Sequence, residues 1–424
     1  MAVLTAKYWR NGNFLRLWAG QSIALFGSSI TTLALPLAAI NQLAASPIQM
    51  GVLQMASFIP FLLFGLLAGV WVDRLPRRPV LIAADLGRAA ALALIPLAAV
   101  QGWLRIELLF AVAFAVGTLN LLFEAAYAAF LPAIVPAEDL QTSNSRLQAS
   151  AAAAEIAGPG VAGWLAQTVT AAIAIVGNTI SFIISALLIS IIRVDEPAHH
   201  KETGMHSLLH DMREGLRMVI RNPYIRALSF CSASANIFIN MHLAIYVLYL
   251  TRSLGFSAGQ IGTVYMVGSI GGLVGAWYAD RIARRMGLGR AILVECLVAG
   301  IATIAIPLAS LAGSLALVLL ALIHALWNFW TPVYVANAAS LRQHITPNGM
   351  LGRVTSASRF ISWGAAAIGF LLGGLAGERL GLLPTLLLAG VGVLLSTGWI
   401  FFSPVRSLRD MPQPDAGAQA SSPA

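Results

Sequence analysis

The chain has 424 residues, of which 58% are apolar and only 10% are charged, and its formal net charge is +9. An average soluble protein is about 25% charged, and no soluble core of this size needs so much apolar surface. The composition therefore excludes an ordinary soluble protein and predicts an integral membrane protein.

Apolar runs of about 20 residues or more, long enough to cross a bilayer as helices, follow one another along the chain. Most connections between them are short, and the longest polar stretch separates the sixth run from the seventh. The twelve predicted spans are 16–43, 48–72, 80–101, 104–130, 142–167, 170–192, 223–251, 257–279, 289–311, 313–338, 351–377 and 382–403. We therefore predict an all-α membrane protein with twelve transmembrane helices.

Basic residues are segregated between the two sides of the predicted bundle. Of 26 lysines and arginines, all but Arg105, Arg252 and Arg379 fall on the side that holds both termini. Cytoplasmic loops of membrane proteins carry an excess of such residues, so we expect both termini in the cytoplasm. The net charge then reports topology and contact with anionic lipids. Nucleic-acid binding is not expected, because it needs a folded basic face or arm.

The connections between spans 2 and 3 and between spans 8 and 9 carry the same charged hinge. One acid and three arginines recur at a constant offset of 207 residues: Asp73, Arg74, Arg77 and Arg78, then Asp280, Arg281, Arg284 and Arg285. The same offset relates Arg146 to Arg353. Six spans followed by six spans in the same orientation indicate a parallel duplication.

The duplication sets the predicted domain boundaries. They are an N-terminal six-helix bundle over 1–192, a cytoplasmic linker over 193–222, a C-terminal six-helix bundle over 223–403 and a disordered tail over 404–424. The linker sequence HSLLHDMREGLRMVIRN favours a solvated amphipathic helix over a metal site, because its histidines are poorly spaced and cysteine is absent. We expect its apolar face to lie on the membrane surface; this face comprises Leu208, Leu209, Met212, Leu216, Val219 and Ile220.

These motifs give the chain a resemblance to the major facilitator superfamily over nearly its whole length. The superfamily's loop 2–3 pattern, G-x-x-x-D-R-x-G-R-R, is met by the residues from Gly69 to Arg78, with Pro76 where glycine is usual. The sequences DLGR at 85–88 and GP at 158–159 are similar to those of the superfamily's drug, macrolide and siderophore exporters. The resemblance implies two pseudo-symmetric six-helix bundles and a secondary transporter of the bacterial inner membrane.

The repeated hinge has two interpretations. A carboxylate at the seam between the halves can cap the start of a helix in the other half, where free N–H groups and the helix dipole attract an anion. Asp73 would then cap span 11 and Asp280 would cap span 5, which would latch the outward-facing state. The alternative is a topology anchor, for which the arginines would suffice without an aspartate.

Span 5 contains a proline between glycines, at Gly158, Pro159 and Gly163. Proline kinks a helix because it removes a backbone hydrogen bond, and glycine permits close approach of two helices. The resemblance extends to the superfamily's antiporter motif, G-P-x-x-G-G, with Ala162 in place of one glycine, and this implies export. The alternative is a packing kink without directional meaning.

Four acids lie at membrane depth, where ionisable groups are costly and usually functional. We expect Asp85 and Glu295, near the cytoplasmic ends of spans 3 and 9, to pair with the hinge arginines. Glu124 and Glu155 have no arginine within two turns on their own helices, so they can exchange protons near neutral pH. We predict that these two residues couple transport to protons. The alternatives are pairing with an arginine of another helix and attraction of a cation.

Spans 1, 4, 7 and 10, which line the central cavity in the superfamily, each carry a polar stripe at helical spacing. The predicted cavity residues are Gln21, Ser28, Asn120, Tyr127, Asn236, Asn240, His324, Trp327 and Asn328. Aromatic walls with a few amides suit a lipophilic, partly polar solute. For any one amide the alternative is a hydrogen bond between helices.

We therefore expect a transporter that exports a small, mainly hydrophobic compound, such as a drug, macrolide or siderophore, in exchange for protons. The alternative is an uptake permease or lipid transporter of the same fold without proton antiport. An enzyme is not expected because the spans carry no catalytic cluster. ATP hydrolysis is excluded because the sequence lacks G-x-x-x-x-G-K-[ST]. We expect substrate, protons and lipids as partners, no metal or cofactor, and a monomer.

Overall fold

A computed structural model describes residues 11–73, 75–194, 205–409 and 411. Within these ranges the regular structure is helical and contains no strand. Twelve of the helices in the described residues match the twelve predicted spans one for one, which confirms the predicted fold class. They are α1 Gly12–Leu43, α2 Pro47–Asp73, α3 Arg77–Gln101, α4 Ile106–Ile134, α5 Leu140–Thr168, α6 Ala171–Ser190, α7 Pro223–Arg252, α8 Ala258–Met286, α9 Leu288–Leu308, α10 Ala316–Ile345, α11 Leu351–Leu380 and α12 Leu382–Ser396.

Ten stretches of the described residues are long and apolar enough to cross a membrane. One of them, Leu288–Ile345, contains both α9 and α10. The helix α5 is not among them, because alanine and polar residues make up much of its sequence. Together these helices make the chain a multi-pass membrane protein.

Local sequence determines where several of these helices begin and end. The side chain of Asn11 caps α1 by accepting a hydrogen bond from the Phe14 N–H at 3.1 Å, as N-cap residues commonly do. The helix α3 ends at Gln101 and is followed by Gly102, whose φ of 75° favours glycine. The Gly102 N–H bonds back to the Ala98 carbonyl, which satisfies an otherwise unpaired group at the helix end.

Backbone packing divides the chain into two compact units. Unit 1 consists of Met1–Thr203, Leu243–Met266 and Phe370–Leu382. Unit 2 consists of Gly204–His242, Val267–Gly369 and Leu383–Ala424. The units follow packing, whereas the predicted halves follow the internal repeat, so parts of α7, α8 and α11 belong to unit 1. The predicted domain boundaries stay a prediction about the repeat.

In unit 1, the helix α6 packs against α1 and α3, α2 packs against α4, and α5 packs against α1. Small residues allow the closest approach: a Cβ atom on Gly27 would lie 2.2 Å from the Ser181 Oγ atom. Leu17, Leu81 and Phe130 are fully buried in the core at one end of this unit. Close packing of α6 on α1 and α3 holds the polar groups of α3 away from solvent.

In unit 2, the helix α9 packs against α10. Its core joins α7, α9 and α10 through Leu228, Ile292 and Leu341, all fully buried. The two cysteines lie in this core as free thiols, with the Cys231 and Cys296 Sγ atoms 3.7 Å apart.

The predicted disordered tail over 404–424 begins too early. Pro404–Ser407 forms a short 3-10 helix and Val405 is fully buried. The carbonyls of Leu408 and Arg409 accept hydrogen bonds from the N–H groups of Gly289 and Leu288 at 2.9 and 3.2 Å. These bonds satisfy groups at the start of α9 and fix the chain there. The rest of the predicted tail, except residue 411, lies outside the described residues.

The predicted amphipathic linker helix is present as Met205–Arg221, and we call this segment the linker helix. The expectation that its apolar face lies on the membrane is wrong for Met212 and Val219. Val219 is fully buried and, with Met212, packs against Val354 and Ala357 of α11. Protein rather than lipid therefore covers this side of the linker helix.

Other apolar residues of the linker helix do remain on its surface. The side chains of Leu216 and Ile220 are 39% and 49% exposed. The side chains of Leu208 and Leu209 lie outside the described residues. The helix thus has one apolar side against α11 and a second, smaller apolar strip that is open.

Candidate functional site

A buried arginine of α3, Arg88, organises the charges of unit 1. It forms an ion pair with Asp85, one turn earlier on the same helix, and donates a hydrogen bond to the Asn120 Oδ1 atom at 2.6 Å. The rings of Phe123 and Phe182 lie 4.3 and 4.1 Å from its guanidinium carbon, in cation–π geometry. The expectation that Asp85 pairs with the hinge arginines is therefore wrong.

The hinge arginines of α3 bind carbonyl groups instead. Arg77 donates a hydrogen bond to the Ala129 carbonyl at 2.9 Å, and Arg78 donates one to the Ile189 carbonyl at 3.3 Å. The Ile189 carbonyl lies in the last turn of α6, where a cation is favourable, and the Ala129 carbonyl lies five residues before the end of α4. These arginines therefore tie three helix ends of unit 1 together.

Glu124, a predicted proton-coupling residue, lies in α4 one turn after Asn120 and is exposed. It interacts electrostatically with Arg88, so α3 supplies the arginine that α4 itself lacks. Its distance from the end of α4 at Ile134 is about 15 Å along the helix, at about 1.5 Å per residue. Asp85, Arg88 and Glu124 form a group of two acids and one base, which one proton would neutralise.

Glu155, the second predicted proton-coupling residue, is exposed on α5. The helix α5 packs against α1, whereas α4 packs mainly against α2 and α3.

The predicted kink residues of α5 make close contacts. A Cβ atom on Gly158 would lie 2.3 Å from the Ser29 Cβ atom of α1, and one on Gly163 would lie 2.3 Å from the Ala258 carbonyl oxygen. Real Cβ atoms do not approach other atoms so closely, so both positions require glycine. The helix continues through Pro159 as far as Thr168.

The predicted cavity residues of unit 1 are partly buried, and two of them hold polar atoms with no hydrogen-bond partner in the described part of the chain. These atoms are the Gln21 Oε1 atom and the Tyr127 hydroxyl. The Tyr127 ring stacks on Phe123, with centroids 5.9 Å apart. Ser28 is partly buried on α1, and Asn120 uses its oxygen to accept the bond from Arg88.

The predicted asparagines of unit 2 bond to their own helices. The Nδ2 groups of Asn236, Asn240 and Asn328 donate to the carbonyls of Ser232, Asn236 and His324 at 2.7, 2.7 and 2.9 Å. Such bonds run one turn back along the helix. The amide nitrogens therefore do not link helices.

His324 and Trp327, also predicted as cavity residues, are largely buried in unit 2. Trp327 contacts the ring of His324 and that of His242, with centroids 5.9 and 6.2 Å apart, both edge to face. Sequence reasoning missed His242 because it does not continue the stripe of serines and asparagines on α7. Its status as an ionisable residue at membrane depth was the signal that could have found it.

The predicted latch residues of α8 are on the surface of unit 2. Asp280 is 76% exposed and forms an ion pair with Arg284, one turn later. The guanidinium carbon of Arg281 lies 6.0 Å from the Tyr278 ring centroid, and Arg285 is exposed. In the first hinge, the side chain of Asp73 and the whole of Arg74 lie outside the described residues.

The helix ends that face away from the predicted cytoplasmic side are called the outer ends. At these ends, unit 1 contains two contacts in which a side chain of one helix caps the start of another. The Glu378 carboxylate, near the end of α11, accepts a hydrogen bond at 3.3 Å from the Ile48 N–H in the first turn of α2. The Gln167 side-chain oxygen, near the end of α5, accepts one at 3.1 Å from the Gly259 N–H in the first turn of α8. Each bond satisfies a donor that the helix itself leaves free.

Glycines bring the same helix pairs together. A Cβ atom on Gly51 of α2 would lie 2.8 Å from the Gly374 Cα atom of α11. One on Gly163 of α5 would lie 3.0 Å from the Gly262 Cα atom of α8. The α2–α11 and α5–α8 pairs therefore touch backbone to backbone beside each capping side chain.

The two outer contacts are copies of each other. A constant offset of 211 residues relates their members: Gly51 and Gly262, Gly163 and Gly374, Gln167 and Glu378, and Ile48 and Gly259. Both α2 and α8 also begin with S-x-x-Q, in which the serine N–H donates to the glutamine side chain at 2.9 Å, as in a capping box. The internal repeat thus extends to the outer ends.

Comparison with known proteins agrees with this architecture. The model of the Major Facilitator Superfamily matches residues 17–370. Multidrug efflux pump Tap of Mycolicibacterium fortuitum is 28% identical over 407 residues, which cover 91% of this chain and 96% of Tap. Macrolide efflux protein A of Streptococcus pyogenes is 24% identical over 386 residues, which cover 90% of this chain and 93% of that protein.

Among solved structures, a bacterial homologue of the iron transporter ferroportin in its inward-facing state is similar in fold. The TM-score is 0.73 at 19% sequence identity, with 92% of this chain and 98% of that chain covered. The family match spans most of the chain. The chain therefore belongs to the Major Facilitator Superfamily and is a membrane transporter, not an enzyme.

Proposed function

We propose that this transporter exports a small, mainly hydrophobic compound of the drug, macrolide or siderophore type in exchange for protons. Relatives that are named efflux pumps align with about nine-tenths of the chain, which supports the direction and the substrate class. Most lysines and arginines fall on the side of the predicted bundle that holds both termini. This excess supports a bacterial inner-membrane location with both termini in the cytoplasm.

The group of Asp85, Arg88 and Glu124 is the observation that carries the coupling proposal. With both acids ionised the group has a net charge of −1, and a proton on Glu124 makes it neutral. A net charge at membrane depth is costly. The free energy of releasing the proton from Glu124 would therefore differ between conformational states of the transporter, and so would the free energy of releasing a bound compound. Arg88 is fixed by Asp85 and two aromatic rings, which leaves Glu124 as the member that gains and loses the proton.

Alternating access would use the same helix pairs at both ends. At the outer ends, Glu378 of α11 caps α2 and Gln167 of α5 caps α8. At the inner ends, Asp73 of α2 would cap α11 and Asp280 of α8 would cap α5 when the outer contacts have separated. Capping by Asp280 would require its ion pair with Arg284 to open.

Inverted membrane vesicles test the coupling. Addition of a transported compound to respiring vesicles should reduce the pH gradient, and Glu124→Gln should abolish this response while compound binding changes less than about threefold. Glu107→Gln is the matched control, because Glu107 lies in the first turn of the same helix and away from Arg88.

Two results would contradict the proposal. Transport that is equally fast after the pH gradient is dissipated would exclude proton antiport. An equal loss in the Glu107→Gln control would show that the effect does not come from the group around Arg88.

A further inference from the structure

We infer that the linker helix binds the headgroups of anionic phospholipids through a row of arginines on its exposed side. The row consists of Arg213, Arg217 and Arg221, and all three side chains are exposed. Residues four apart lie on one side of a helix, and the rise of about 1.5 Å per residue places neighbouring arginines about 6 Å apart along the axis. The row therefore presents three cations in a line.

Both acids of the linker helix form ion pairs with an arginine of another helix. Arg353 of α11 pairs with Asp211, with its Nε atom 2.8 Å from the Asp211 Oδ1 atom, and also with Glu214. One arginine thus pairs with both carboxylates of the linker helix. The arginine row is left without an acid of its own helix to balance it, so its field extends outward.

The same pairing fixes how the linker helix is oriented. A Cβ atom on Gly215 would lie 2.4 Å from the Arg353 carbonyl oxygen, and Val219 is fully buried in the same contact. The side with Asp211, Gly215 and Val219 is held against α11. The arginine row lies on the opposite side of the helix and is presented in one fixed orientation.

Apolar side chains adjoin the row, which distinguishes a lipid surface from other anionic partners. At about 100° per residue, Leu216 and Ile220 lie on one flank of the row, and both are exposed. A helix of this type lies in the lipid interface, with its apolar strip at the acyl boundary and its cations at the headgroups. A nucleic acid or an acidic protein loop would contact the arginines and gain little from this strip.

The end of the helix places the row near the bilayer. The linker helix ends at Arg221 and the membrane-spanning helix α7 begins at Pro223, so the last arginine lies where the chain enters the membrane. The positive-inside pattern predicts that this entry is on the cytoplasmic side, where anionic lipids are concentrated.

Native mass spectrometry of the full-length protein in neutral detergent tests the inference. The probes are short-chain phosphatidylglycerol, phosphatidylcholine of the same chain length, and inorganic phosphate as a competitor. We expect phosphatidylglycerol to bind more tightly than phosphatidylcholine, and we expect phosphate not to displace it. The triple variant R213Q/R217Q/R221Q should lose affinity for phosphatidylglycerol by about fivefold for each arginine, as expected for basic residues at an anionic surface.

A matched triple variant controls for net charge. R290Q/R406Q/R409Q removes three exposed arginines of the same unit, none of which lies on the linker helix, and it should bind phosphatidylglycerol like the native protein. An equal loss in both triple variants, equal binding of the two lipids, or displacement by inorganic phosphate would each overturn the inference.

Discussion

The α2–α11 and α5–α8 contacts at the outer ends share one geometry but differ in charge. In both, two glycines meet and a side chain from the end of one helix accepts a hydrogen bond from the second residue of the other. The accepting group is a carboxylate at Glu378 and a neutral amide at Gln167. The repeat has therefore kept the shape of the contact while its electrostatics diverged.

This difference bears on how each contact responds to its surroundings. A carboxylate at a helix start interacts with the helix dipole as well as with the N–H group, which contributes about 0.3–1 kcal/mol at an exposed site. A neutral amide forms the hydrogen bond without that charge. Arg252, the last residue of α7, donates a separate hydrogen bond at 2.8 Å to the carbonyl of Ala45, which precedes α2.

Substitution of the glycines in the two outer contacts should have the largest effect on transport. Gly163→Ala places a Cβ atom where the Ala258 carbonyl oxygen lies 2.3 Å away, and Gly374→Ala places one 2.9 Å from the Pro47 carbonyl oxygen. We expect transport to fall about tenfold or more for Gly163→Ala and about threefold for Gly374→Ala. Drug efflux from cells that express equal amounts of each variant measures this.

The control for both changes is Gly177→Ala in α6, where a Cβ atom would meet no atom within 4 Å. Its transport should equal that of the native protein. Unimpaired transport by Gly163→Ala would show that the α5–α8 contact is not needed in the cycle.

Exchanging the charge between the two contacts should have a smaller effect. Glu378→Gln replaces the carboxylate of the α2–α11 contact with an amide, as at Gln167. The population of molecules in which the α2–α11 contact is made should fall about twofold to fivefold, as loss of a charge–dipole interaction implies. Gln167→Glu should strengthen the α5–α8 contact to a similar extent. Spin labels at the exposed positions Gln42 and Leu380 report the separation of the outer ends of unit 1 by their distance distribution.

Equal distance distributions for the native protein and Glu378→Gln would contradict this prediction. The matched control is Glu107→Gln, which removes an acid in the first turn of α4 that takes no part in either outer contact. Its distribution should match that of the native protein.

The sequence was sufficient for the fold because most spans are long and apolar and most connections between them are short and polar. The charged hinge revealed the repeat because charged residues are rare in this chain. The outer copy of the repeat, S-x-x-Q-x-G at 46–51 and 257–262, was also readable, but its offset of 211 residues differs from the 207 of the hinge. A search at one fixed offset cannot align both.

The candidate site was only partly readable, because its contacts join residues far apart in the chain. Glu124 was identifiable as an acid at membrane depth, but its interaction with Arg88 depends on how α4 packs beside α3. Asp85 and Arg88 are three residues apart, so their pairing was readable from helical spacing. The pairing of Arg353 with Asp211 and Glu214 was not, because nothing local connects the linker to α11.

Salt should produce the smallest effect and the sharpest distinction between the two contacts. Raising ionic strength from about 0.1 to 1 M shortens the screening length from about 10 to 3 Å. It should therefore weaken the charged, exposed α2–α11 contact and leave the neutral α5–α8 contact unchanged. Labels at Gln42 and Leu380 should shift toward longer distances, whereas labels at Val169 and Ser253, both exposed, should not. In Glu378→Gln the salt response of the first pair should shrink toward that of the second, because the α2–α11 contact then lacks its carboxylate. A salt response of equal size at both pairs would mean that charge does not distinguish them.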